Sequence, residues 1–135
     1  MRFESFDFAP EILRAVSECG YQEMTPVQQQ AIPTIRRGSD VLASAQTGTG
    51  KTAAFALPIL QRLVDNPAPA QPSNARVLIL TPTRELAAQV ASNINDFAKY
   101  LDISVLSLVG GGNHDVQARE RKPAAHTRLA SARRL

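Results

Sequence analysis

The stretch that decides the fold is DVLASAQTGTGKTAAFALPIL, residues 40–60. It begins with a short apolar run at 40–45, passes through the segment TGTGKT, and continues with apolar residues at roughly helical spacing. A strand, a glycine-containing loop and a helix in this order favour phosphate binding, because backbone N–H groups and the helix N-terminus point at phosphate oxygens. The sequence therefore predicts a nucleotide-binding loop between a strand at 40–45 and a helix at 53–64.

The individual residues of this loop suit that chemistry. Gly48 and Gly50 allow close approach of a ligand and unusual backbone dihedrals. Lys51 can place a positive charge on the terminal phosphates, and the Thr52 hydroxyl can bind magnesium. A glycine-rich turn with an incidental lysine is the competing interpretation, and the flanking strand and helix argue against it. The predicted nucleotide site comprises Ala45, where the motif usually has glycine, and Gln46, Thr47, Gly48, Thr49, Gly50, Lys51 and Thr52, of which Lys51 and Thr52 are the catalytic candidates.

Two helices are predicted on the N-terminal side of the loop. Residues 10–18 form a short helix with a proline in its first turn. Residues 26–37 form a second helix, in which Pro33 is expected to cause a kink or mark a boundary. Beyond the nucleotide loop and its helix, residues 65–75 contain three prolines and no large apolar residue, which indicates a surface loop.

The chain then alternates between strand and helix. Residues 76–81 and 103–109 are apolar runs typical of buried strands. Such alternation predicts an α/β fold, with a parallel sheet and helices on both faces. Ligands of these sheets bind beyond the carboxyl ends of the strands, so residues 44–52, 81–85 and 109–112 are expected to share a face. Between the two strands an amphipathic helix is predicted from the spacing of Leu86, Val90, Ile94, Phe97 and Leu101.

Composition excludes several classes of protein. The apolar fraction of 44% and charged fraction of 20% are ordinary for a globular domain. No apolar run approaches the roughly 20 residues of a membrane span, and the N-terminus carries acids rather than the basic start of a secretory signal. The single cysteine, Cys19, excludes an internal disulfide and favours a cytoplasmic location.

The net charge of +3 is unevenly distributed. Residues 113–135 hold six lysines and arginines against two acids, whereas residues 1–112 hold nine against ten. The basic balance therefore belongs to the tail, and charge alone is weak support for nucleic-acid binding.

Several segments in sequence order resemble the motifs of DEAD-box RNA helicases. Residues 20–28, GYQEMTPVQ, resemble the Q motif, and Phe3 lies seventeen residues before Gly20, where that family has an isolated aromatic residue. Residues 45–52 match motif I, residues 82–89, PTRELAAQ, match motif Ia, and Gly110–Gly111 match the glycine doublet that follows. The amino-acid sequence of residues 24–61 is most similar to that of the bacterial RhlE-like branch.

The resemblance implies a partial RecA-like domain of an ATP-dependent RNA helicase that uses ATP and Mg²⁺. It implies that Gln28 pairs with N6 and N7 of adenine and that Phe3 stacks on the base, so that ATP is preferred over GTP. It also implies that RNA backbone is contacted, independently of sequence, by Pro82, Thr83, Arg84, Gly110 and Gly111. Thr83 can equally serve as a helix N-cap. No membrane contact is expected, and the sequence indicates no particular protein partner.

The resemblance ends after Gly111. Nothing in residues 112–135 resembles a Thr-Pro-Gly-Arg segment, an Asp-Glu-Ala-Asp box or a Ser-Ala-Thr motif, and no second RecA-like domain follows. The acidic box holds magnesium and orients the attacking water, so these residues are expected to bind ATP without hydrolysis or unwinding, as a truncated N-terminal fragment. A non-catalytic nucleotide- or RNA-binding module is the alternative, while the Q motif makes a different P-loop NTPase a poor fit.

Three regions are expected. Residues 1–38 form a helical segment with the Q motif, and residues 39–112 form an incomplete RecA-like domain. Residues 113–135 form a basic, disordered tail unlike the family. Either this tail is a genuine extension that contacts RNA phosphates, or the reading frame changes near Gly112; the second explanation is favoured because the break falls within a motif region.

Overall fold

The computed structural model describes residues 1–67 and 75–108, and the backbone of residues 127–131. These residues form two compact units. The first contains residues 1–67 and 96–101, and the second contains the other described residues. Along the chain the elements are a short 3₁₀ helix Phe3–Ser5, α1 Pro10–Glu18, α2 Pro26–Arg36, α3 Lys51–Asp65, β1 Val77–Thr81, α4 Arg84–Phe97, β2 Val105–Leu108 and β3 Thr127–Ser131.

Helix α1 follows directly from its sequence. Pro10 occupies the first turn, where its missing N–H is no loss, and Glu11 places a negative charge at the positive end of the helix dipole. The helix ends before Gly20, whose φ of +84° is readily adopted by glycine. Its predicted bounds are confirmed, and the buried face consists of Ile12, Ala15 and Val16, at helical spacing.

Helix α2 begins after Thr25, whose backbone N–H donates a hydrogen bond to Oε1 of Gln28 at 3.0 Å. Such a bond from the third helical residue back to the cap satisfies a donor that the helix leaves unpaired. Pro33 lies inside the helix without ending it, because the Arg37 N–H still bonds the Pro33 carbonyl at 3.2 Å. The turn that follows uses Gly38, with φ +84°.

Helix α3 supplies much of the core of the first unit. One buried polar residue, Gln61, ties it to the N-terminal segment. Its Oε1 accepts a hydrogen bond from the Ala9 N–H at 2.7 Å, while its Nε2 donates to Oδ1 of Asp65 at 2.8 Å. Both halves of the amide are therefore satisfied, as a buried amide requires. The remaining buried residues of α3 are Ala53, Ala54, Ala56, Leu57, Pro58, Leu60 and Leu63.

The strand predicted at residues 40–45 is not formed in the structure. These residues carry no strand pairing, and Val41 and Leu42 are 39% and 102% exposed. A strand exists only with a neighbour that completes its ladder, and the strands of the described sheet pair with one another instead. The prediction of a strand at residues 40–45 is therefore wrong, although most of these residues are apolar.

The sheet lies in the second unit and is parallel, as predicted. Its order is β1-β3-β2, so β3 pairs with both of the other strands, and Thr127 aligns with Val77 on one side and Val105 on the other. The sequence assigned no element to residues 113–135, whereas five of these residues form the central strand. The pairing of β3 comes from neighbours distant in sequence, so local apolar periodicity gave no sign of it.

Helix α4 connects β1 to β2 as a crossover. Its predicted apolar face is confirmed at Val90, Ile94 and Phe97, which are buried. Two predicted positions differ, since Leu86 is 40% exposed and Leu101 is half-buried and lies beyond the end of the helix. No helix in the described ranges is long and apolar enough to cross a membrane. The residues that α4 and the turn after it bury are Ala87, Val90, Ala91, Ile94, Phe97 and Ala98.

Candidate functional site

The glycine-containing loop leads directly into helix α3. Gly48 and Gly50 have φ of +83° and +79°, in the left-handed region that favours glycine. A Cβ on Gly50 would collide with the amide nitrogen of Gln28, so this position also lacks space for a side chain. A Cβ on Gly48 would meet nothing within 4 Å, which shows that the loop is open on that side.

Two side chains donate hydrogen bonds to backbone carbonyls of the loop. The Lys51 ammonium donates to the Ala45 carbonyl at 2.6 Å, and the Thr49 hydroxyl donates to the Gln46 carbonyl at 2.6 Å. Lys51 therefore reaches from the first residue of α3 to the first residue of the loop. Its side chain is exposed, so an incoming anion can replace the Ala45 carbonyl as its partner. Thr52 follows as the second residue of α3 and is half-buried.

Gln28 lies beside this loop and is fully buried. Its Oε1 accepts from the Thr25 N–H, and its Nε2 donates to the Gly50 carbonyl at 3.2 Å. The side chain thus joins the start of α2 to the residue that precedes Lys51. One lone pair and one N–H of the amide remain beyond these two bonds. The adenine contact stays a prediction, whereas the contact with the loop backbone was not foreseen from the sequence.

Phe3 is also buried, at 2% exposure. Its ring meets Tyr21 edge-on at a centroid distance of 6.3 Å, and Tyr21 meets Phe97 in the same manner at 5.9 Å. Edge-on aromatic contacts at such distances are favourable. Stacking of Phe3 on a base remains a prediction, and it requires the ring to leave this packing.

The predicted RNA-binding segment lies where β1 ends and α4 begins. Pro82, Thr83 and Arg84 are all exposed. The Leu86 N–H donates to Oγ1 of Thr83 at 3.1 Å, so Thr83 is the N-cap of α4. The hydroxyl accepts this bond and retains its own proton for donation. The other predicted RNA contacts, Gly110 and Gly111, lie outside the described residues.

A family model for DEAD/DEAH box helicases matches residues 25–134. The chain belongs to this family. The matched range extends past Gly111, where the recognisable motifs end. The α/β class and the RecA-like character of the fold agree with the match, while the narrower assignment to the RhlE-like branch remains a prediction.

Individual DEAD-box relatives match over most of the chain. It is 49% identical over 110 residues to the ATP-dependent RNA helicase SrmB of Haemophilus influenzae, covering 82% of this chain and 25% of that protein. It is 45% identical over 118 residues to the ATP-dependent RNA helicase DeaD of Escherichia coli K12, covering 87% and 18%. The chain therefore spans about a quarter or less of the length of these two relatives.

A solved structure shows the same relationship. The crystal structure of a hypothetical ATP-dependent RNA helicase from Sulfolobus tokodaii superposes with a TM-score of 0.76 at 37% sequence identity. The match covers 90% of this chain and 33% of that one. The fold described above is thus that of part of a DEAD-box helicase.

Proposed function

We propose that this chain binds ATP with magnesium, and binds the backbone of RNA, as part of a cytoplasmic ATP-dependent RNA helicase. The observation that carries the proposal is the loop at residues 45–52, with its two left-handed glycines and the exposed Lys51 ammonium bonded to the Ala45 carbonyl. Family membership supplies the class of activity.

The residues of the loop fit magnesium-bound ATP. Gly48 is open on the side where a Cβ would point, and the start of α3 presents N–H groups to phosphate oxygens. Lys51 binds the terminal phosphates as a point charge, and the hydroxyl of Thr52 is the protein ligand for magnesium. When bound, magnesium neutralises charge on the phosphates. Gln28, and Phe3 after its ring turns outward, hold the adenine and select ATP over GTP.

RNA binds at the start of α4 in this proposal. The exposed residues Pro82, Thr83 and Arg84 combine a helix N-terminus, a hydroxyl and a guanidinium, which together suit a backbone phosphate. The backbone of Gly110 and Gly111 completes the contact. Because such contacts carry no base information, binding is expected to be independent of RNA sequence and sensitive to salt.

The same 135 residues are proposed to bind ATP without turning it over. Their sequence contains no Asp-Glu-Ala-Asp box, whose carboxylates hold magnesium and orient water in the family. An ATPase assay with and without RNA tests this part of the proposal. RNA-stimulated phosphate release by the purified chain would overturn it.

Nucleotide binding is tested by replacing Lys51. We expect Lys51→Ala to weaken binding of a fluorescent ATP analogue with magnesium roughly ten- to hundredfold, because a charged hydrogen bond contributes about 1.5–3 kcal/mol. Lys99→Ala removes the same group at a site where the ammonium binds Glu18, and it is expected to leave the affinity unchanged. Equal affinity of Lys51→Ala and wild type would contradict the role of Lys51. Displacement of the analogue by GTP as efficiently as by ATP would contradict the selection of adenine by Gln28 and Phe3.

A further inference from the structure

The backbone of residues 40–45 is almost free of hydrogen bonds, and these residues are called the exposed segment below. Just before it, the Ser39 N–H donates to the Thr34 carbonyl at 3.3 Å. From Asp40 to Ser44, no backbone N–H or carbonyl takes part in a hydrogen bond within the described ranges. Unpaired backbone groups on an apolar segment are a template for pairing with a strand of another chain.

The side chains of the exposed segment are accessible as well. Leu42 is fully exposed, and Asp40, Val41, Ala43 and Ser44 are also exposed. Covering an exposed leucine favours association, because its apolar surface is removed from water. Lysine and proline are the residues that often protect a strand edge from pairing, and the exposed segment contains neither.

There is room for a second strand beside the exposed segment. A cavity of about 750 Å³ is lined by all six residues of the segment and, opposite them, by one face of α2. The cavity therefore follows the segment along its length, and an extended chain can approach the backbone from this side. The residues of α2 that line the cavity are Pro26, Val27, Gln30, Ala31 and Thr34.

We propose that the exposed segments of two copies of this chain pair as antiparallel strands and form a dimer. A two-fold interface uses the same surface on both copies. With the axis at Leu42, the two Leu42 side chains lie opposite one another, Val41 lies opposite Ala43, and Asp40 lies opposite Ser44. Apolar residues thus meet apolar residues, and each carboxylate meets a hydroxyl that can donate to it.

The distribution of charge favours the antiparallel direction. Asp40 is the only charged residue of the exposed segment, and at the other end of the segment the Lys51 ammonium donates to the Ala45 carbonyl at 2.6 Å. Antiparallel pairing brings the Asp40 end of one copy to the Lys51 end of the other, so opposite charges approach each other twice. Parallel pairing in register would place the two Asp40 carboxylates side by side, and like charges in that position are unfavourable.

The size of the interface predicts a weak dimer. Six residues a side are far fewer than the roughly 20–30 of a standard interface. Because interfaces of standard size already extend to micromolar affinity, this dimer is expected to form only above about 1 µM. The proposal goes beyond the proposed function and does not depend on it.

Sedimentation velocity of the full chain over a range of concentrations measures the association. Wild type is expected to pass from monomer to dimer, and Leu42→Lys is expected to weaken dimerisation roughly tenfold or more, because two ammonium groups would lie opposite one another. Leu42 is fully exposed, so its replacement removes no packing within the chain. Leu78→Lys is the matched control at another exposed leucine, and it should dimerise as wild type does.

A mixture of two variants tests the register. Leu42→Glu alone is expected to weaken dimerisation as Leu42→Lys does, but equal amounts of both should form a heterodimer, because opposite charges then face each other. A mixture that stays monomeric would overturn the two-fold pairing at Leu42. The proposal would also be overturned by a wild type that is monomeric at every concentration, by masses above that of the dimer, or by an equal loss in Leu78→Lys.

Hydrogen exchange of the wild-type chain adds a measurement that requires no variant. The amides of residues 40–44 should exchange rapidly in dilute solution and become protected as the dimer forms, because hydrogen bonds between strands slow exchange. Unchanged exchange of these amides in a sample that sediments as a dimer would assign the interface to another surface and overturn the proposal.

Discussion

At the scale of the residue, burial is the property that the motifs did not predict. Gln28 is identified by the resemblance of residues 20–28 to the Q motif, and Phe3 by its distance from Gly20. Both lie in the core of the first unit, at 0% and 2% exposure. A motif identifies a functional residue, but the partners of that residue come from other segments of the chain. Gln28 contacts the Gly50 carbonyl, and Phe3 contacts the Tyr21 ring. Sequence spacing contains no information about these contacts.

Removing the Gln28 amide is expected to destabilise the chain. Gln28→Leu leaves the Thr25 N–H without its partner, while the Gly50 carbonyl keeps its hydrogen bond from the Ala54 N–H. A partly buried group that loses its hydrogen bond costs about 1–3 kcal/mol. The free energy of unfolding, measured by urea denaturation, should fall by roughly that amount. The matched control is Gln30→Leu on the exposed side of the same helix, which should stay within about 0.5 kcal/mol of wild type. Equal stability of both variants would show that the two hydrogen bonds contribute nothing.

At the scale of the element, Thr83 caps α4 and is proposed to bind RNA, and substitutions can separate the two roles. Thr83→Ala removes the cap of α4 and is expected to lower the free energy of unfolding by about 1 kcal/mol, together with RNA affinity. Thr83→Asp keeps a capping oxygen but places a negative charge beside the phosphate, so stability should be retained while RNA affinity falls. Denaturation and RNA titration of both variants measure the two effects. RNA binding by Thr83→Asp at wild-type strength would remove Thr83 from the RNA site.

Elements were predictable to the extent that their causes are local. The prolines, caps and apolar spacing of α1 and α2 lie within their own sequence, and their bounds agree with the prediction within a residue. Strands depend on partners instead. The apolar run at 40–45 has no ladder, whereas TRLAS at 127–131, with a single large apolar residue, occupies the centre of the sheet. The local sequence of these segments does not show which of them forms a strand, because pairing depends on two strands.

At the scale of the whole molecule, an ion-pair cluster links α1 to the turn that follows α4. Glu18 accepts hydrogen bonds from the Tyr100 hydroxyl, at 2.6 and 2.7 Å, and from Arg14. Lys99 completes the cluster and, with Tyr100 and Arg14, lowers the pKa of Glu18 to about 2. The spacing of Arg14 and Glu18 is visible in the sequence, but the two partners more than eighty residues away are not.

This cluster predicts how stability depends on pH. Because the pKa of Glu18 is lower in the folded chain, its contribution is present at neutral pH and is lost as pH falls from about 4.5 towards about 2. Wild type should have the higher denaturation midpoint above about pH 5, and the midpoints of wild type and Glu18→Gln should converge on acidification. Glu4→Gln, which removes another exposed carboxylate, serves as the matched control. A gap between wild type and Glu18→Gln that is independent of pH would contradict the assignment.

The bond between Lys51 and the Ala45 carbonyl has a consequence for how nucleotide affinity is measured. In the proposed function, binding is an exchange in which the Lys51 ammonium leaves the Ala45 carbonyl and gains a phosphate oxygen, so the affinity contains only the difference between the two bonds. Lys51→Ala removes both bonds, and the loop of the variant no longer has to be opened. The loss of nucleotide affinity in Lys51→Ala is therefore smaller than the free energy of the bond between Lys51 and phosphate. The difference is the free energy of the hydrogen bond between Lys51 and the Ala45 carbonyl in the unbound protein.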